Sequence, residues 1–399
     1  MSGESPLSMM RSAPPRLRRP PGRRRSRLWI YLTFIAAVAI LALGLTWGWY
    51  LAASLSGRAL SGWIEREARL GRVYACGSQN ISGFPIRIVI RCDKAAATFG
   101  SNQPPFDVTA SGVTFSAALY RPTLLHGAID GPVTIADQGQ PPIFIANWSQ
   151  AELDLLGLPP EPQRVSIDLV KPRLDRVAGP NAGMIFQAAI ADVDGRIIAG
   201  TALNHPVIEV TGHFEAATAP TFHPLLAAPL QGDIDAVMRG FKDFSPKPWR
   251  VLFQEMQASG GDIDIKSIRI ARTDAVLVGA GKLTVNDHGR LDGSLTVAVA
   301  GIENIVPLLG IDQLIGQGID KLTGGNGSAD QGLNTLDRLL PGLGNAVRSQ
   351  TNSSLVDNIK NMGQPTEIDG KPAIALPLRV TDGVIYVGVI PVGVVPALF

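Results

Sequence analysis

Between Leu28 and Ser56 the chain reads LWIYLTFIAAVAILALGLTWGWYLAASLS, without one charged side chain. In hydrocarbon every backbone N–H and C=O must be paired within the segment, so a run of this kind is stable there only as a helix. At ~1.5 Å per residue it is longer than the ~30 Å apolar core of a bilayer and can cross it with some tilt. Trp29 and Tyr31 lie at one end and Trp47, Trp49 and Tyr50 near the other, at the depths where amphipathic rings sit among the headgroups. The flanks are unequal. Residues 1–27 hold eight arginines (Arg11, Arg16, Arg18, Arg19, Arg23, Arg24, Arg25 and Arg27) against Glu4 alone. Positive charge stays on the cytoplasmic side, so 1–27 reads as a basic cytoplasmic tail and 28–56 as a transmembrane anchor. A cleaved signal peptide is the rival, with Ala52-Ala53-Ser54 and Ala59 as small residues for a peptidase. Its apolar region is usually only about 7–15 residues, so length favours an uncleaved anchor.

Residues 57–72 continue as an amphipathic stalk helix. Ala59, Leu60, Trp63, Ile64 and Ala68 fall on one face, and Arg58, Glu65, Arg66, Glu67 and Arg69 on the other. Glu65 and Arg69 are spaced to pair, and Gly71 is a natural stop. The whole chain has 36 basic and 34 acidic residues; without the tail, 28 basic face 33 acidic. A mildly acidic domain is a poor partner for nucleic acid, whose phosphates need a surplus of Lys and Arg.

Residues 73–399 read as a β-rich domain on the far, periplasmic side. Its 399-residue parent chain, with 43 glycines and 30 prolines, favours many turns over long helices. The only cysteines, Cys76 and Cys92, lie in the compartment the topology makes oxidising. Ile86, Ile88 and Ile90 alternate with Arg87, Val89 and Arg91 after a turn at Ser82-Gly83-Phe84-Pro85. A strand, a turn and a returning strand would bring the thiols together as a disulfide. Further strands are expected at 106–115, 164–170 and 207–214, an antiparallel meander over 262–300, and a hairpin around Asp382-Gly383. Helical spacing marks Trp249–Met256, Ile302–Leu322 and Leu333–Met362, with a flexible break at 324–328. The fold class is thus mainly β with helices (α+β): a large, mostly antiparallel, curved sheet with covering helices, behind an N-terminal transmembrane helix. Val278 is read as an inward position of that sheet.

No catalytic, cofactor-binding or metal-ligating set emerges. Gly279-Ala280-Gly281-Lys282 lacks the upstream glycine of a phosphate loop and is followed by Leu283. His205, His213 and His223, with Glu209 or Glu215, are spaced like unrelated surface residues rather than metal ligands. Asp262 and Asp264, and Asp192 and Asp194, lack the other ligands of a calcium loop. Asn80, Asn147, Asn326 and Asn352 head glycosylation sequons, relevant only in a host that glycosylates.

Three segments together resemble the bacterial family called domain of unknown function 2125. They are the stalk with Cys76 and ISGFPIRIVIRCDK at 81–94, GAGKLTVNDHGRLDGSLTV at 279–297, and LPLRVTDGV…IPVGVVPALF at the C-terminus. The resemblance implies an inner-membrane anchor, a periplasmic domain and no established activity. A looser similarity, in the Gly-Arg-Leu-Asp-Gly meander and single anchor, is to AsmA-like envelope proteins, whose curved sheets handle phospholipid. The expected partners are the bilayer, phospholipid or other envelope proteins, and not nucleic acid.

Overall fold

The computed structural model describes residues 25–399 except 103, 159–160, 180–181, 246, 307–351 and 389. The first element is a single unbroken helix, α1 (Arg25–Arg69), which joins the expected anchor to the expected stalk. It stops at Gly71, whose φ of 79° suits glycine. The chain then folds back as β1 (Arg72–Ser82) and β2 (Arg87–Phe99), joined by the Phe84–Ile86 turn.

From β2 onward the strands form one antiparallel sheet. Next come β3 (Phe106–Ala118), β4 (Arg121–Asp137), β5 (Pro142–Asn147), β6 (Gln150–Leu156) and β7 (Arg164–Val170). After β8 (Arg173–Arg176) and β9 (Gly183–Gln187) run β10 (Ile190–Thr201), β11 (Asn204–Ala217) and β12 (Leu230–Met238). A short helix, α2 (Trp249–Ala258), precedes the meander β13 (Asp262–Arg272), β14 (Ala275–Val285) and β15 (Leu291–Ala300). Then follow α3 (Ile302–Ile305), α4 (Asn352–Met362), β16 (Gln364–Ile368), β17 (Lys371–Thr381), β18 (Val384–Val387) and β19 (Ile390–Val394). Each strand pairs with its sequence neighbour except at two branches and at β15, which skips β16 and pairs with β17, as β16 also does. β4 pairs with β6 along one half and with β5 along the other, leading through β8 to β9, and β7 pairs with β10. Among the described strands β1 pairs only with β2, so the sheet curls without closing.

The register shows what the curl encloses. Residues directly opposite one another across antiparallel strands share a face. Starting at Ile81, the partners run Ile90, Phe115, Gly127, Leu153, Ile167, Val193, Gly212, Ile234, Ile268, Gly279, Val297 and Leu376. No polar side chain interrupts that line. On the opposite face the partners run Arg91, Thr114, Ala128, Glu152, Asp168, Asp192, His213, Asp233 and Arg269. From β2 to β13 one face is apolar and the other polar along these lines, which is why alternation was visible in those strands in the sequence. From β14 onward the second face is apolar too.

The two faces are finished differently along the chain. At the C-terminal end the apolar face is closed by helices. Val297, Val299 and Leu376 are buried with Ile302 of α3, Val356 and Ile359 of α4, and Val387 and Ile390. α2 seals one corner, burying Phe241, Met256 and Val285 with Leu398 and Phe399 beside them. The apolar C-terminus is thus tied down, and Leu398 N–H donates to the Gly289 carbonyl at 2.7 Å.

Val278 is not an inward position. It pairs with Arg269 and Ala298 and packs on the other face with Val276, Ala271 and Ile368. A period of two means that one residue of offset exchanges faces, and in β14 both faces are apolar, so the sequence alone could not set the parity. Helical structure described after β15 covers Ile302–Ile305 and Asn352–Met362. The remainder of the two expected helices, the break at 324–328 and the sequon at Asn326 lie outside the described residues, as does the tail to residue 24.

Candidate functional site

The middle of the apolar face has no cover among the described residues. Ile167 is 40%, Val193 48% and Ile234 37% exposed, although all three lie on the continuous apolar line. From β7 to β12 the line crosses four strands, and at ~4.8 Å per strand the open stretch is about 14 Å long. Glycine at Gly212 and Gly195 lowers the floor there, and a Cβ on Gly212 would meet Ile234 Cγ2 at 3.0 Å. The result is a shallow trough whose walls are β-branched and aliphatic side chains.

Towards the N-terminus the trough runs under α1. Leu60, Trp63 and Ile64 of the helix roof a cavity of about 420 Å3 whose floor includes Phe115, Val113 and Ile129. The spacing of Leu60, Trp63 and Ile64 on one helical face, visible in the sequence, is what aims them at the sheet. Trp63 packs on Tyr74 with centroids 4.8 Å apart, and Phe99 stacks on Phe106 at 4.7 Å. Trp148 closes the far wall and donates its indole N–H to the Ile129 carbonyl at 2.7 Å, so its one polar group is satisfied. Burial, and then the Glu67 charge, push the Tyr74 phenol above its usual range, with Arg72 opposing.

Cys76 and Cys92 sit in the floor of this cavity, joined in a disulfide with Cα atoms 5.6 Å apart. The strand–turn–strand reading therefore brought the right residues together. Closing a loop of this size stabilises by about 3 kcal/mol in the chain-entropy model. Replacing both cysteines by serine is expected to lower unfolding stability by about that amount, read from denaturant unfolding of the full chain. Thiol labelling of the unreduced, denatured protein should find neither cysteine free.

Glu67 departs from its expected place on the solvated side of the stalk. It is 5% exposed, and Arg72, at 9%, donates to it from the start of β1. The hydrogen bond to Glu67 raises the Arg72 guanidinium above its usual range against the cost of burial. Arg69, spaced to meet the Glu65 carboxylate, donates instead to the Glu65 carbonyl at 3.4 Å. The Glu67–Arg72 pair locks the helix terminus to the first strand, which fixes the roof over the cavity.

The other residues weighed from the sequence scatter. His213 is held by Asp233 at 2.8 Å, His205 faces Asn204 at 2.9 Å, and His223 accepts from the Leu225 amide at 3.2 Å as the cap of a short turn. Asp262 and Asp264 share Arg239 at 2.9 and 3.4 Å rather than pointing free into solvent. Lys282 of the glycine-rich stretch binds Asp262 at 2.6 Å. Gly279 is needed for close packing, because a Cβ there would lie 2.7 Å from Val297 Cγ1. Asp192 and Asp194 belong to the polar face. There desolvation, then the carboxylates of Asp192, Asp154, Glu152 and Asp194, push the Asp168 carboxyl up. Among the described residues no three His, Cys, Asp or Glu side chains converge as a metal site.

Fold and site together define a class: a single curled antiparallel sheet with one apolar face, carried on an N-terminal helix long and apolar enough to cross a membrane. A family model described as an uncharacterized protein conserved in bacteria (DUF2125) matches residues 49–396. The chain belongs to that family. No curated protein and no solved structure matches it.

Proposed function

We propose that this is an inner-membrane-anchored periplasmic envelope protein, without catalytic activity, that holds or guides a lipid acyl chain along the trough of its curled sheet. The observation that carries this reading is the unbroken apolar line from β1 to β17, left without cover among the described residues at Ile167, Val193 and Ile234. A monomeric protein in water rarely leaves so continuous an apolar surface without a ligand for it. Its open length of about 14 Å suits one acyl chain, since a single leaflet is about 15 Å of hydrocarbon. The arginines before Leu28 support a cytoplasmic N-terminus. The mildly acidic domain and the carboxylates of its polar face argue against nucleic acid as a partner.

The test is equilibrium binding of a fluorescent fatty-acid analogue to the purified full chain in nanodiscs, corrected for partition into empty discs. Saturable binding competed by phospholipid is expected. Absence of a saturable component overturns the lipid reading and leaves a scaffolding module, docking other envelope proteins through the same face, as the better account.

A further inference from the structure

We propose that the tips of the β1–β2 and β3–β4 turns form a second membrane contact, seating one edge of the sheet in the headgroup layer of the leaflet from which α1 emerges. The proposal rests on the membrane anchoring read from α1 and not on the occupancy of the trough.

The β1–β2 turn is bound to the helix at a defined depth. Trp49 donates its indole N–H to the Arg87 carbonyl at 2.8 Å, and its ring meets Phe84 edge-on at 5.7 Å. Trp49 lies 21 residues beyond Leu28, about 32 Å along a helix, which is one hydrocarbon thickness. A tryptophan at that depth sits in the interface, and it brings the turn there with it. The β3–β4 turn is carried to the same level, because the Leu119 amide donates to the Ile86 carbonyl at 2.9 Å.

What the two turns present suits that layer. Phe84 is 55%, Ile86 52% and Tyr120 74% exposed. Turns in water are built from small and polar residues, whereas aromatic and aliphatic tips flanked by cations suit an interface. Arg87 and Arg121, both exposed, stand directly behind the tips where lipid phosphates lie. The cavity roofed by Leu60 and Trp63 begins 11 residues further along α1, about 16 Å beyond Trp49. Seating the edge would therefore place the trough's covered end just above the headgroups.

The full chain in nanodiscs, carrying Ile86→Cys or Tyr120→Cys labelled with an environment-sensitive dye, tests this. The native thiols are joined, so the introduced one is the only reactive site. Phospholipids brominated on their acyl chains should quench both labels at least threefold more than a label at Gln140→Cys, in the exposed turn at the opposite edge. Quenching less than threefold above that reference at either site overturns the proposal. If either variant exposes extra reactive thiols, Leu119→Cys takes its place under the same criterion. Fatty-acid binding measured on the same discs separates the two readings. Binding with unquenched tips removes the second contact and keeps the trough, and quenched tips without binding do the reverse.

Discussion

Replacing Val193 by glutamate is expected to weaken fatty-acid binding by at least about a hundredfold, or about 2.8 kcal/mol, while leaving the protein folded. Val193 lies in the middle of the open line, between Ile167 and Gly212, and is half exposed without ligand. A carboxylate there stays hydrated in the free protein and costs the fold little. Once an acyl chain covers it, the charge loses its water with no partner on the apolar face, a penalty of several kcal/mol. Asp192→Asn, on the neighbouring residue but the opposite face, should leave binding unchanged. Binding isotherms of both variants, with circular dichroism to verify folding, decide the matter. Equal affinity for Val193→Glu and the native chain would show that the ligand does not lie in the trough.

The second large effect is on stability. Glu67→Ala should destabilise the domain by about 3–5 kcal/mol, the range found when one partner of a buried ion pair is removed. The guanidinium of Arg72 would be left among α1 and β1 with its main acceptor gone. Replacing both residues together, Glu67→Met with Arg72→Leu, should recover most of the loss, because a packed apolar pair has no desolvation to offset. Denaturant unfolding of the three variants provides the measurement. A double variant no more stable than Glu67→Ala would mean that the pair holds the helix by specific geometry. A Glu67→Ala variant as stable as the native chain would mean that the stalk is not locked to β1. The same variant should also weaken fatty-acid binding, since Leu60 and Trp63 would lose their fixed position over the cavity.

Much of this architecture was legible from local pattern. A helix long and apolar enough to cross a membrane follows from a charge-free run, because hydrocarbon tolerates only internally paired backbone. The strands at 106–115, 164–170 and 207–214 fall inside β3, β7 and β11, and the 262–300 meander is β13–β15. Two residues per pleat is a strictly local rule, and Gly, Asn and Asp mark where it stops. The Cys76–Cys92 bond was legible for the same reason, since a single short hairpin brings the two together.

Whatever depended on which strand lies beside which was decided only in three dimensions. Alternation says that Ile167, Val193 and Ile234 each face the apolar side of their own strands. Only the register aligns them, across the break in sequence from β7 to β10. Glu67 carries the sequence signature of a solvated helical residue, and its burial required Arg72 to arrive from the next element. Val278 shows the limit most directly. In a strand apolar on both faces, parity is settled by what packs above and below, here α3 and α4 on one side and Ile368 of β16 on the other. Local propensity and hydrophobic periodicity fix elements and faces through contacts within a few residues. Pairing partners, coverage and therefore the trough come from long-range contacts that no short window of sequence contains.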